Sequence, residues 1–208
     1  MSPLNPAATP FLPAIASLPT LSDTALTSTL DLLFEPSADL HTLALPTIRT
    51  LSFASYDDLV TTLRTQLLDI ASAVADDADG RKRLHAILGS HPRLGESKQN
   101  QQNQQQQQQE EEVLSGFSRE EQAHLRGEGE ALAGLNQEYE ERFPGLRYVV
   151  WVNGRSREEV MGDMRRRIGR GDLREEEREG IRAMCDIAAD RARKLLLKSS
   201  EEAAENSR

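Results

Sequence analysis

Three places in this 208-residue sequence carry polar side chains that could move a proton or bind an anion. The first is His91, which stands directly before Pro92. Because a proline disfavours the α conformation of the residue before it, His91 is predicted to leave a helix on a loop. An imidazole of ordinary pKa accepts and donates protons near pH 7, but a His-Pro pair is also a common helix exit. Taken alone, the pattern favours a structural loop residue.

The second place is Ser118 with Glu121, and the third is Arg191. Serine followed three residues later by glutamate is typical of a capping box, in which both side chains satisfy backbone N–H groups, and a helix N-terminus is also a natural seat for an anion. Counted at about 100° per residue from Ile181, Arg191 lies at the edge of the buried stripe of the last predicted helix. Its side chain then either reaches into a pocket or extends to solvent.

The other reactive side chains favour structural interpretations. Cys185 is the sole cysteine, so an intramolecular disulfide and a cysteine-rich zinc site are excluded, and its helical setting indicates an inert core thiol. His41, His85 and His124 lack metal-ligand spacing to one another. The run 165–167 consists of arginines and is interpreted as a solvated helix face.

Composition excludes several classes of function. The chain has 25 Lys+Arg against 34 Asp+Glu, a net charge of −9 that gives no electrostatic footprint for nucleic acid. No apolar stretch reaches membrane-spanning length, and the proline-rich start has no basic region typical of a secretory signal. We therefore expect a soluble, cytoplasmic protein. A peroxisomal location stays open, although the chain ends in Asn206-Ser207-Arg208 rather than a tripeptide of the Ser-Lys-Leu type.

The elements that would position these side chains are almost all helical. Apolar residues recur at helical spacing through most of the chain, while the run 147–152 is β-branched and aromatic. One such run cannot form a sheet alone, so it is predicted to be an extended segment threaded through a helical core. Helices are predicted from Ser22 to Phe34, around 40–45, from Ser55 toward 76–80, over 84–88, from Ser118 to Phe143 with a break at 127–129, from Ser156 to about Ile168, and from Asp172 to about Leu197.

The predicted fold class is therefore all-α, a single-domain helical bundle. Residues 1–20 form a proline-rich N-terminal segment, extended or loose, and order is expected to begin near Ser22. Residues 21–198 form the helical domain, and 199–208 a polar tail. Residues 99–112 consist of Gln, Asn and Glu and cannot bury apolar surface, so they are interpreted as a mobile loop insertion.

Several motifs, in this order, resemble the OHCU decarboxylase family, which acts on 2-oxo-4-hydroxy-4-carboxy-5-ureidoimidazoline (OHCU) in urate degradation. The likeness covers roughly Leu21 to Leu197, and the run 142–150 is closest to the fungal type. The motifs are Phe34-Glu35-Pro36-Ser37, His91-Pro92 with Leu94-Gly95, Ser118-x-x-Glu121-Gln122, Leu135-Asn136-x-x-Tyr139-x-x-Arg142-Phe143, the apolar run to Gly154-Arg155-Ser156, and Ile187-Ala188-x-x-Arg191.

The resemblance implies an all-helical enzyme that uses no metal or organic cofactor and converts OHCU to (S)-allantoin. It implies that the small-molecule partner is OHCU and that the protein is a homodimer. Neither nucleic acid nor a membrane is expected as a partner. His91 matches the catalytic histidine, Glu121 its acidic partner and Arg191 the substrate-anchoring arginine. The substrate-binding positions are Pro92, Ser118, Gln122 and the backbone of the extended run at Leu146, Arg147, Tyr148, Val149 and Val150.

Two other functions remain as alternatives. The first is a non-catalytic helical interaction module in which the Gln-rich insertion mediates association. A scaffold has no reason to keep His91, Glu121, Gln122 and Arg191 together, since helical periodicity demands none of them. The second is a metal-dependent hydrolase of a ureide, which would need a cluster of His, Asp and Glu ligands that the sequence does not offer.

Deleting residues 99–109 tests the interpretation of the insertion. We expect turnover to stay within a few-fold of wild type, because the free energy of loop closure grows only logarithmically with length. Steady-state decarboxylation assays of the full chain and the deletion variant would measure this. A loss beyond about 100-fold would mean that these residues are not a dispensable loop.

Overall fold

The described part of the chain is helical, apart from short connections and one longer non-helical segment. The computed structural model describes residues 11–73, 78–95 and 119–205, and their side chains except those of 119–128 and 202–205. Within these residues no strand occurs, which confirms the all-α prediction. The elements are a 3-10 helix at Ile15–Thr20 and the helices α1 (Asp23–Phe34), α2 (Ala38–Thr50), α3 (Tyr56–Ala73), α4 (Ala78–Leu88), α5 (Arg119–Arg142), α6 (Arg157–Arg170) and α7 (Leu173–Glu205).

Helix α7 forms the centre of the core. It packs mainly against α3 and α1, while α4 packs on α3 and α5 packs on α6. The stripe predicted to be buried on α7 is confirmed for Ile181, Met184, Cys185, Ala188 and Ala192, which are fully buried. Its two end residues, Leu173 and Leu195, are partly buried against the core. Leucines from the other helices fill most of the remaining core. Past its predicted end, α7 continues to Glu205, so the expected polar tail is helical as far as that residue.

Side-chain caps fix several helix ends where the sequence predicted them. The hydroxyl of Ser22 accepts a hydrogen bond from the Ala25 N–H at 3.2 Å, which begins α1. Ser156 and Glu159 form the predicted capping box at the start of α6. Gly171 ends α6 in the left-handed conformation, with φ of 63°. The short loop from α6 to α7 is thus set by local chemistry.

Order begins earlier in the chain than predicted. The expectation of a loose segment up to Ser22 is wrong for residues 11–20, which carry the 3-10 helix. Leu18 is fully buried, and the hydroxyl of Tyr56 donates a hydrogen bond to the Pro13 carbonyl at 2.8 Å. Arg49 likewise donates to the Pro19 carbonyl at 2.8 Å. Prolines prevent an α-helix here, but tertiary contacts satisfy the carbonyls that a loose segment would expose to water.

Two helix predictions are also corrected. The short piece expected at 40–45 is the 13-residue helix α2, which passes through Pro46 because Leu40, Ala44 and Ile48 are buried along one face. The break expected at 127–129 does not occur, and α5 runs through both glycines. A glycine costs about 1 kcal/mol in a helix interior but keeps its N–H donor, so the hydrogen-bond ladder continues.

The interpretation of residues 165–167 as a solvated face is wrong for Arg167. Its side chain is 3% exposed, and its Nε donates to both carboxylate oxygens of the fully buried Glu176, at 2.8 and 3.1 Å. Burial disfavours the cation, but the hydrogen bonds and charge of Glu176 outweigh it and raise the Arg167 pKa. The guanidinium also lies over the Tyr148 ring, 4.7 Å from its centre. The spacing of apolar residues could not predict that Arg167 is buried, because a charged side chain is tolerated in the core only when a partner, here Glu176 of α7, is present.

Truncation of Arg167 should destabilise the fold. Arg167→Ala leaves the carboxylate of Glu176 buried without its main partner, and breaking a buried pair in this way typically costs about 3–5 kcal/mol. Urea unfolding followed by circular dichroism would measure the loss. Arg165→Ala, two residues away on the exposed face, is the matched control and should change stability by no more than about 0.5 kcal/mol. Equal stability of the two variants would contradict the structural role of the pair.

Cys185 should be unreactive in the folded protein. Burial raises the pKa of its thiol to about 11, so the reactive thiolate is a minor species at pH 8. A thiol reagent at pH 8 should therefore label the chain slowly in buffer and completely in denaturant, and Cys185→Ala should keep its activity. Rapid stoichiometric labelling without unfolding would show that this thiol is accessible.

Candidate active site

A cavity of about 250 Å³ lies where the loop after α4 meets the non-helical segment before α6 and the C-terminal half of α7. Six of the predicted site residues line it, from three distant parts of the chain: His91, Pro92, Tyr148, Val149, Val150 and Arg191. Four further lining residues were not predicted, namely Arg93, Leu94, Gly95 and Ile187. All four belong to or adjoin the motifs that carry the family resemblance, which is the signal that could have found them.

A larger cavity, of about 640 Å³, adjoins the first at Arg93, Leu94 and Gly95. Its opposite wall is the C-terminal half of α5, from Gly129 to Glu141. This helix also carries the predicted residues Glu121 and Gln122, whose side chains lie outside the described part of the structure, as does Ser118 entirely. The structure therefore places α5 beside the cavity.

The loop that carries His91 is fixed at several points. The Gly89 N–H donates to the His85 carbonyl at 2.8 Å and the Ser90 hydroxyl to the Ile87 carbonyl at 2.7 Å, which closes α4 just before the histidine. The guanidinium of Arg147 donates to the carbonyl of His91 at 3.0 Å. His91 itself is 5% exposed. The imidazole is therefore held at the cavity and largely removed from bulk water.

The loop beyond His91 lies close against α5. The Asn136 amide donates to the Leu94 carbonyl at 3.0 Å. Arg93 donates to both oxygens of Glu140, at 2.6 and 2.8 Å, and this hydrogen bonding lowers the pKa of the Glu140 carboxyl. Gly95 has φ of 88°, a conformation that favours glycine, and a Cβ there would meet a methyl group of Leu132 at 2.7 Å, so that leucine would have to shift. These contacts together hold residues 93–95 against α5.

Arg191 enters the cavity from α7 with its side chain one-third exposed. Its Nη1 donates to the Leu33 carbonyl at 3.1 Å and its Nη2 to the Glu35 carboxylate at 2.6 Å. Glu35 directly follows α1, is buried, and has φ of 94° and ψ of 152°. Sequence reasoning noted Glu35 only as part of a turn and missed this contact.

The non-helical segment 146–152 has two different sides. The Tyr148 hydroxyl donates to Asp163 at 2.6 Å, and Arg167 donates to the Val149 carbonyl at 3.2 Å. Burial and the adjacent Asp163 raise the Tyr148 pKa. Burial would raise the pKa of Asp163, but hydrogen bonds from Tyr148 and Arg166 outweigh it and lower that pKa. This side anchors the segment to α6.

The other side of the segment faces the cavity at residues 148–150. In the described part of the chain, the backbone N–H groups of Tyr148, Val149 and Val150 donate to no protein acceptor. Leu146 and Arg147 instead line a separate cavity next to His85 and Gly145. Of the five predicted backbone positions, three therefore line the cavity. Arg147 does not line it, but its guanidinium binds the carbonyl of His91, which does.

Two of the other histidines have structural partners. His85 lies 2.8 Å from the fully buried carboxylate of Glu177, which ties α4 to α7, and His41 lies 2.6 Å from Asp31. No group of three or more His, Cys, Asp or Glu side chains that could hold a metal ion occurs among the described residues. No described helix is long and apolar enough to cross a membrane.

Comparison with known proteins identifies the family. The model of the OHCU decarboxylase family matches residues 19–193, which is most of the chain. Neither curated proteins nor solved structures gave a significant match. The residues that line the cavity lie inside the matched region. The chain belongs to the OHCU decarboxylase family and is a carboxy-lyase that decarboxylates OHCU in urate degradation.

Proposed function

We propose that the 250 Å³ cavity is the active site, in which OHCU loses CO₂ and is protonated on one face to give (S)-allantoin. The observation that carries the proposal is that His91, Arg191 and the non-helical residues Tyr148, Val149 and Val150 line one cavity although they come from three distant parts of the chain. Helix packing alone requires none of these groups to be there. Together they supply a proton carrier, a cation and hydrogen-bond donors.

The substrate explains why these groups suffice. OHCU carries a hydroxyl and a carboxylate on one ring carbon, beside a carbon that bears the ureido group. When CO₂ leaves, the electron pair of the broken C–C bond delocalises into the conjugated ring, so a protein has to orient the carboxylate, polarise the ring and deliver a proton. The decarboxylation therefore proceeds, in this proposal, without a metal or an organic cofactor.

His91 is assigned the proton transfer. Its imidazole is almost fully buried at the cavity, and a histidine serves as both base and acid near neutral pH. Glu121, from α5, is assigned as its acidic partner, with Ser118 and Gln122 lining the pocket. These three assignments rest on the family motif, because Ser118 and the side chains of Glu121 and Gln122 lie outside the described part of the structure. Arg147 positions the histidine by holding its carbonyl.

Arg191 is assigned as the anchor for the anionic substrate. Its two hydrogen bonds, to Leu33 and Glu35, use two of the five N–H donors of a guanidinium, which leaves three for a ligand. A planar guanidinium matches a carboxylate or a ureido oxygen through paired hydrogen bonds. Pro92 and Ile187 supply apolar wall on either side. The reacting carbon is then held within reach of His91.

The backbone of Tyr148, Val149 and Val150 is assigned to the polar edge of the substrate. Among the described residues these three N–H groups donate to no protein acceptor, so those that face the cavity are available to a ligand. Successive N–H groups of an extended segment point to opposite sides, so only part of the run serves the substrate. Arg167 and Asp163 hold the segment from behind and leave little freedom to adjust. Preorganised donors of this kind stabilise negative charge that develops on a substrate oxygen or nitrogen.

Three further expectations accompany this proposal. The domain limits 21–198, a homodimer and a cytoplasmic location follow from the family resemblance and from composition, and they stay predictions. Sedimentation of the purified chain would give the oligomeric state.

Replacing His91 tests the proposed chemistry. His91→Ala should lower kcat by about 10²–10⁴-fold, the usual contribution of a positioned proton carrier. The assay is circular dichroism of the allantoin formed from OHCU generated in situ from urate, where wild type gives a fast (S)-allantoin signal. His41→Ala, at a half-buried histidine paired with Asp31 outside the cavity, is the matched control and should keep activity within a few-fold.

The outcomes separate the parts of the proposal. Equal acceleration by wild type and His91→Ala would move the proton transfer to another residue. A folded wild-type chain that does not accelerate the reaction would overturn the cavity as an active site and favour the interaction module.

A further inference from the structure

We propose that Glu35 is a positioning residue that sets the orientation of the Arg191 guanidinium in the cavity. This inference rests on the proposed role of Arg191 as substrate anchor. Glu35 and Arg191 lie 156 positions apart in the sequence, and their side chains meet at 2.6 Å between Oε1 and Nη2. Glu35 does not line the cavity itself, so it acts through the arginine.

Two hydrogen bonds hold the Arg191 guanidinium. Nη2 donates to the Glu35 carboxylate, while Nη1 donates to the Leu33 carbonyl at the C-terminal end of α1. A rigid planar group held at two of its nitrogens has one orientation left. Helix C-termini favour cations, which strengthens the contact with Leu33. The remaining donors of Arg191 are thus presented to the cavity in a fixed geometry.

The backbone of Glu35 indicates that its side chain is required. Its φ of 94° and ψ of 152° lie in a region that glycine adopts freely and that other residues avoid. The following Pro36 favours the extended ψ but does not require a positive φ. Glycine would remove the conformational penalty, but it could not reach Arg191. Backbone strain at a residue whose side chain binds a group of the site is typical of functional sites.

The alternative is that the ion pair only fastens α1 to α7. Those two helices are already packed by fully buried apolar side chains, including Leu26, Leu30 and Leu33. The arginine side of the ion pair is one-third exposed, and solvent screening there weakens its contribution to stability. Activity and stability should therefore respond differently to substitutions at Glu35, and this difference can be measured.

Three variants at one position form the test. Glu35→Gln keeps the length and an acceptor oxygen, so kcat/KM should stay within about 3-fold, whereas Glu35→Asp retracts the acceptor by one C–C bond of about 1.5 Å. A misplacement near 1 Å can cost about 100-fold, so we expect Glu35→Asp and Glu35→Gly to lose at least about 10-fold in kcat/KM. Glu35→Gly should unfold at or near the wild-type temperature. Asp31→Asn, at a half-buried carboxylate of α1 paired with His41, is the matched control and should change neither quantity.

Combining these variants with Arg191→Ala identifies the route of the effect. If Glu35 acts through Arg191, adding Glu35→Gly to Arg191→Ala should lower kcat/KM by less than about 2-fold further. An equal loss in both backgrounds, or Glu35→Asp more active than Glu35→Gln, would overturn positioning. If Arg191→Ala loses activity while Glu35→Gly keeps it, the positioning role of Glu35 is overturned and the anchor role of Arg191 stands. Fully active Arg191→Ala would overturn the anchor assignment in the proposed function.

Discussion

The buried ion pair of Arg167 and Glu176 is the interaction on which the site's architecture depends. Each charge has been removed from water, so each must be satisfied by fixed partners at good geometry. Glu176 accepts from Tyr139 of α5 at 2.5 Å and from Arg170 of α6 at 3.0 Å, while Arg167 reaches the Val149 carbonyl. One pair thus links α5, α6, α7 and the non-helical segment. A shift of any of these elements would leave a buried polar group without a partner.

Apolar packing and polar contacts stabilise different parts of the site. Leucine-rich packing holds the helices together, but it is nondirectional and tolerates small shifts. Apart from Ile187 and Arg191 of α7, the residues that line the cavity are non-helical. Their positions come from hydrogen bonds at defined lengths, such as Arg147 to the His91 carbonyl and Asn136 to the Leu94 carbonyl. Loops held in this way carry the functional groups while the helices act as a rigid scaffold.

Two arginines on neighbouring helices illustrate how tertiary context sets a residue's role. Arg167 is enclosed on all sides, and its hydrogen bonds go to protein acceptors. Arg191 is tied at two nitrogens and stays one-third exposed at a cavity. The same side chain therefore acts as an internal support in one place and as a ligand anchor in the other. The difference lies in how many donors the protein itself uses.

Much of this protein was determined by the sequence alone. Helical periodicity identified the α7 stripe, serines identified caps at Ser22 and Ser156, and the His-Pro pair identified the loop that carries His91. These signals are local, because they concern residues three or four positions apart or a single backbone conformation. Ordered motifs added the family, which the matching family model confirmed over residues 19–193.

Only the tertiary structure decided which charged groups are buried and which residues meet at the cavity. Arg167 appeared solvated from its own helix alone, and Glu35 appeared only within the motif Phe34–Ser37, because the partner of each lies on another helix. That the N–H groups of 148–150 donate to no acceptor among the described residues likewise becomes visible only once the fold is known. Periodicity describes one helix at a time, whereas the pairing of polar groups depends on how helices pack in three dimensions.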